Sequence, residues 1–123
     1  MNIRPYTPQD FEMIKSWHKE APEQGQLPLD SSFILENNGI PTVCVSVILT
    51  NASICYMDNM VGNPEVKDRK DATKAIIEYA WQFAKNKGYK YSVAFTKHNK
   101  LAERHIQMGW QKLSSGFILG RVN

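Results

Sequence analysis

The residues best placed to do chemistry sit in "NPEVKDRKDATKAIIEYA", Asn63 to Ala80. Lys67, Arg69 and Lys70 crowd a polar turn, and Thr73 adds a hydroxyl just inside the helix that follows. A helix N-terminus attracts anions because its first backbone N–H groups lack partners and its dipole end is positive. With three cations beside it, the chemistry would be phosphate binding. Two features oppose that reading. No glycine lies between Asn63 and the helix, and Asp68 and Asp71 bring carboxylates to the same helix start. Asp68 there reads as an N-cap, with Asp71 three residues on. A phosphate loop and a capped helix with solvated charges both fit these residues.

Other titratable groups are few. Leu101, His105 and Met108 share one helix face by their i, i+4, i+7 spacing, so His105 points inward, as a core histidine or as an acid–base group. His18 stands beside Glu20 at the end of another helix and reads as a surface residue. Cys44 and Cys55 fall on neighbouring apolar runs joined by a turn near Asn51 and Ala52. Pairing about that turn sets Cys55 opposite Ile48 and leaves the thiols ~10 Å or more apart, too far to bridge. They read as buried small hydrophobes. No Cys/His spacing suggests zinc, so no metal is expected.

The elements that must position these groups follow from periodicity and punctuation. "MNIRPY" is a short strand. In "TPQDFEMIKSWHKE", Thr7 is the N-cap, Pro8 takes the first helical position, and Phe11, Ile14 and Trp17 form the apolar face. Pro22, Gly25 and Pro28 then break the helix into a loop. Asn38-Gly39 is a hairpin signal and Asn51-Ala52 marks a second turn, so three antiparallel strands follow, the middle one β-branched from Thr42 to Leu49. Ala72, Ala75, Ile76, Tyr79, Ala80, Phe83 and Ala84 make the stripe of a long helix that Gly88 ends. Tyr89 to Phe95 is a strand, "KHNKLAERHIQMGW" a helix closed by Gly109, and two short strands flank Ser114, Ser115 and Gly116. The order is β-α-β-β-β-α-β-α-β-β. It predicts an α/β chain with a twisted mixed sheet of about six or seven strands, helices on both faces, and one parallel pair made by the helical crossover.

At 123 residues the chain suits a single domain spanning 1–123, with a core that needs no disulfide or metal. It shows no signal peptide and no apolar run of ~20 residues, which predicts a cytoplasmic protein without a membrane partner. The net charge of +3 conceals an asymmetry: Val66 to Lys112 holds eleven Lys and Arg against four Asp and Glu. Such a half suggests an anionic partner. Nucleic acid is the weaker candidate. Lys85, Lys87, Lys90, Lys97, Lys100 and Arg104 carry no recognisable motif, and Trp17, Trp81 and Trp110 lie in separate elements, as core or lining aromatics do.

With these motifs the element order resembles the GNAT superfamily of N-acetyltransferases across essentially the whole chain. "NIRPYTPQDFEMI" looks like the opening strand and helix, and "MDNMVGNPEV" like the fourth strand. "RKDATKAIIEYAWQFAKNKGYKY" resembles the cofactor helix with its following strand, and "KHNKLAERHIQMGW" the closing helix. The small acetyltransferase-like proteins of phage genomes have a similarly short, glycine-poor loop.

The resemblance implies acetyl-CoA as co-substrate and a small-molecule or protein amine as acceptor. It implies pantetheine on the backbone of Asn59, Met60 and Val61, pyrophosphate near Lys67, Arg69, Lys70 and Thr73, and a cofactor arm bonded by Asn99 or by His98. Anchored on Lys74 to Ile77, the chain departs from the family: Asp71 and Thr73 stand at the glycine places and Asp68 at the basic one. Asp58 occupies the family's acidic position, where burial between Tyr56 and Met60 would suit a general base. Glu36, on a neighbouring strand, is a second candidate base. His105 stands at the place of the family's tyrosine, as donor to the departing thiolate. The loop from Ala21 to Asp30 replaces a helix that usually covers the acceptor, implying an open cleft or one completed by a partner chain. Family members often dimerise, although no segment here marks an interface. The alternative function is a catalytically inactive module on the same fold, structural or phage-associated, with a decayed CoA site.

Overall fold

A computed structural model describes all residues except 19–24, 97 and 114–117. Its elements are β1 (Asn2–Pro5), a 3-10 turn (Pro8–Asp10), α1 (Phe11–Trp17), β2 (Ser32–Asn37), β3 (Ile40–Ile48), β4 (Ile54–Gly62), α2 (Lys70–Asn86), β5 (Tyr91–Phe95), α3 (Asn99–Gln107), β6 (Gln111–Lys112) and β7 (Ile118–Val122). Among the described residues seven strands form one sheet, in the order β1-β2-β3-β4-β5-β7-β6. Neighbours run antiparallel except β4 and β5, which the α2 crossover makes parallel.

Helices cover both faces. On one, Ile14 and Trp17 of α1 pack with Tyr6, Leu27, Ile34 and Cys44. On the other, Ile76, Ile77, Ala80 and Ala84 of α2 pack on Leu35, Val43, Val45 and Val47. The small alanines let α2 lie close to the sheet, where β-branched side chains fill the remaining space. No helix among the described residues is long and apolar enough to cross a membrane.

Local chemistry accounts for most boundaries. Asn38 and Gly39 both take positive φ, 54° and 79°, as a two-residue hairpin turn requires. The Thr7 N–H donates to Asp10 Oδ2 at 2.9 Å, and Arg4 grips both oxygens of that carboxylate at 2.8 and 2.9 Å. Gly88 ends α2 at φ 93°.

Several details differ from the expectations. Ile48 lies opposite Tyr56 rather than Cys55, because the β3–β4 turn is wider and holds itself through Thr50 Oγ1, which accepts from the Ala52 N–H. The conclusion about the thiols survives: both cysteines are free and buried. α1 is shorter than the apolar pattern suggests and opens as a 3-10 turn. α2 starts at Lys70 with Arg69, not Asp68, in the N-cap position, while Asp68 Oδ1 accepts the Lys70 N–H at 3.3 Å. Ile77 and Trp81 join the buried stripe, whereas Tyr79 sits at its margin against the Phe33 ring. Glu20, Lys97, Ser114, Ser115 and Gly116 lie outside the described residues.

Candidate functional site

The site begins where two strands part. β4 and β5 pair from Ile54 with Tyr91 to Met57 with Ala94, and there the ladder stops. β4 continues from Asp58 to Gly62, while β5 ends at Phe95. A bulge turns β4 aside: Ser46 faces Asp58 and Cys44 faces Val61, so Asn59 and Met60 share the space opposite Val45. Asn59 takes φ 54°, a left-handed conformation that asparagine tolerates better than most residues.

A cleft of about 1140 Å³ opens beyond the bulge. Its walls are the end of α1 (Trp17, His18), the diverging β4 (Asp58, Met60, Val61, Gly62), the β4–α2 junction (Pro64, Lys67, Asp68, Arg69, Lys70, Thr73) and the start of α3 (His98, Asn99, Lys100, Leu101, Arg104). Lys67, Arg69, Lys70, Lys100 and Arg104 thus face two carboxylates, Asp58 and Asp68, a balance that favours an anionic guest. The ion pairs among the described residues join Arg4 to Asp10 and Glu36, and Arg121 to Glu78, so none of them engages these cations. A smaller hollow of about 300 Å³ near the C-terminal end of α2, lined by Tyr79, Gln82, Phe83, Asn86 and Lys87, lacks such a convergence.

The glycine missing from the loop is replaced by a different device. Arg69 Nη1 donates to the carbonyls of Asn63 at 2.6 Å and Val66 at 3.0 Å, tying the turn from inside. Its side chain lies across Gly62, where a Cβ would come within 2.6 Å of Nε. Arg69 is thereby committed in part to the loop, and Lys67, Lys70 and Thr73 are the remaining donors at that end. Asp71 does not line the cleft, so Asp68 alone of the two acids opposes an anion there.

The structure therefore brings together Asp58, Met60, Val61, Lys67, Arg69, Lys70, Thr73 and Asn99. Asn59 lies beside them in the bulge. Asp58 is exposed, so the expected burial between Tyr56 and Met60 is absent; the bulge leaves its carboxylate accepting the Asn59 N–H at 2.8 Å. Glu36 lies elsewhere: β3 separates its strand from β4, and Arg4 holds it at 3.4 Å. His105 is 1% exposed and does not line the cleft. Its Nδ1 donates to the Leu101 carbonyl at 2.9 Å, and burial pushes its pKa down, which keeps the ring neutral.

Among the aromatic and charged or titratable residues of the cleft, four carry no expected role there. Trp17 and His18 are there because α1 ends at the cleft. Lys100 and Arg104 were grouped with Lys85 and Lys87, which instead lie over the Trp81 and Phe83 rings. The end of α1 carried no signal, since an amphipathic pattern does not say what its last residue meets.

No family model matches the sequence, and no curated protein does. Solved structures do. N-acetylglutamate synthase from Neisseria gonorrhoeae, in complex with coenzyme A and L-arginine, superposes with a TM-score of 0.79 at 15% identity, over 98% of this chain and 32% of that one. This chain thus spans about a third of that enzyme's length. An N-acetyltransferase from Staphylococcus aureus Mu50 matches with a TM-score of 0.75 at 12% identity, over 98% of this chain and 97% of its own. Ribosomal-protein-alanine N-acetyltransferase from Brucella melitensis matches at 0.73 and 10% identity, over 100% of both chains. The chain has the GNAT acetyltransferase fold.

Proposed function

We propose that the chain, working as one unit, is a small N-acetyltransferase that moves an acetyl group from acetyl-CoA to an amine. The observation that carries this reading is the parting of β4 from β5 in front of a cationic helix start. Past the point where the β4–β5 ladder stops, β4 through Asn59, Met60 and Val61 offers backbone groups to an extended pantetheine. Lys67, Lys70 and Thr73 at the N-terminus of α2 hold the pyrophosphate, with Lys100 and Arg104 as further counter-charges and Asn99 beside the cofactor arm. When bound, acetyl-CoA supplies a thioester carbonyl: the C–N bond to the amine forms, the C–S bond breaks, and the thiolate leaves with the proton shed by the new amide. Asp58 faces the acceptor. His105 and Glu36 keep structural roles. Two buried free thiols agree with work in the reducing cytosol.

One observation favours a second reading. Arg69 is tied to loop carbonyls and Asp68 lines the phosphate end, as in a non-catalytic module on the same fold.

Calorimetric titration with acetyl-CoA decides between them. The transferase reading expects micromolar affinity that falls with salt. Lys70→Ala should weaken it about tenfold, the worth of one charge-assisted hydrogen bond, and Asp68→Asn should tighten it. An absence of binding at millimolar acetyl-CoA would leave the module.

A further inference from the structure

His18 stands in the cleft wall with Asp58, far from it in sequence. Its Nε2 is buried without a hydrogen-bond partner among the described residues. A buried ring nitrogen left unpaired costs stability, and a catalytic role is one reason such a cost is kept. Asp58 offers the complementary charge, being exposed and bonded only to the neighbouring N–H of Asn59 among the described residues. Beside it runs an apolar shelf. Tyr56, two residues away on β4, shares the face of Asp58 and stacks on Phe95 with ring centres 5.6 Å apart. Phe95 is 56% exposed and Tyr91, on the same face of β5, is 48% exposed.

We propose that Asp58 and His18 form the acceptor end of the cleft, where Asp58 holds the ammonium of a small primary amine, neutral His18 accepts its proton, and the Tyr56–Phe95 shelf carries its apolar body. The inference rests on the transferase reading. An alkylamine is protonated at neutral pH and cannot attack until it loses a proton. Carboxylates are weak bases there and imidazoles are matched to the task. Burial pushes the His18 pKa down and Asp58 pulls it back up, so the ring is neutral in the resting cleft and its cationic form has a counter-charge. Asp58 on β4 is the charged group that acts on it; the cations of the cleft stand on the α2 junction and α3. The proton passes from the ammonium to His18 and then to solvent. The freed nitrogen lone pair attacks the thioester.

The test uses 2-phenylethylamine as probe, followed through the His18 ring resonance in NMR spectra of the whole chain, assigned with His18→Gln. A saturable shift of His18 but not of His105 is expected. Asp58→Asn should weaken binding about tenfold and lower the ionisation midpoint of His18. Phe95→Ser should weaken binding and leave that midpoint in place, and 3-phenylpropionate should shift nothing. In steady-state assays with acetyl-CoA, His18→Gln should lower kcat near neutral pH and recover as pH rises, whereas Asp58→Asn should raise KM for the amine. Amine binding indifferent to Asp58→Asn, or equal binding of the anion, would overturn the proposal. The cofactor titration separates the two claims. If phenylethylamine binds and acetyl-CoA does not, the transferase reading alone fails; the reverse result sinks the acceptor site alone.

Discussion

The His105 ring meets the Trp110 ring nearly at right angles, with centroids 4.9 Å apart, and its Nε2 has no partner among the described residues. That environment tolerates an imidazole and penalises an imidazolium. The folded pKa is therefore depressed while the unfolded chain titrates near 6.5. Above that value both states are neutral and the contribution is fully present. As pH falls below it, the unfolded state binds the proton first and stability drops until the folded pKa is reached. Denaturant unfolding from pH 7 to pH 5 should show this loss, and His105→Phe should shrink it. The remainder belongs to His18, whose shift has the same sign. An unchanged pH slope in His105→Phe would place the ring in contact with water.

The β4–α2 junction shows how one element boundary can depend on a contact between side chain and backbone. Arg69 closes the turn through two carbonyls, and it does so by lying flat against Gly62. A methyl group at that position would meet Nε at 2.6 Å and displace the side chain. Gly62→Ala should cost about 1–3 kcal/mol, from two lost charge-assisted bonds, and should weaken acetyl-CoA binding with it. Unfolding curves and calorimetry on the one variant report both effects. Full stability in Gly62→Ala would mean that the turn holds without Arg69. Little of this was legible beforehand. The basic cluster was visible as charge, but whether a guanidinium binds phosphate or its own loop depends on the path of the turn.

At the scale of the whole molecule, the sheet hides its reactive groups between two helical layers. Cys44 and Cys55 are fully buried, and burial pushes the Cys44 thiol up to about 12. The thiolate is the reactive form, so native protein at pH 8 should not react with a water-soluble disulfide reagent on the scale of minutes. Two equivalents should react at once in denaturant. Prompt reaction of one thiol in the native state would reveal an opening of the sheet short of global unfolding.

The sequence by itself determined the elements, their order and the class of fold. The Asn38-Gly39 turn, the Thr7–Asp10 cap, the stripe of α2 and the stops at Gly88 and Gly109 act within a few residues, through backbone conformation and periodicity. It also placed Asp58, Lys67, Lys70 and Thr73 around one junction, because they are near one another in the chain. Only the tertiary structure decided that His18 enters the cleft and His105 does not. His18 and Asp58 lie forty residues apart in number, and they meet because α1 ends over the place where the β4 bulge parts the sheet. His105 shares a face with Leu101, yet one turn further along α3 it is inside the core rather than at the cleft wall. A helix period states which side chains share a face; what that face meets is set by packing against strands distant in sequence.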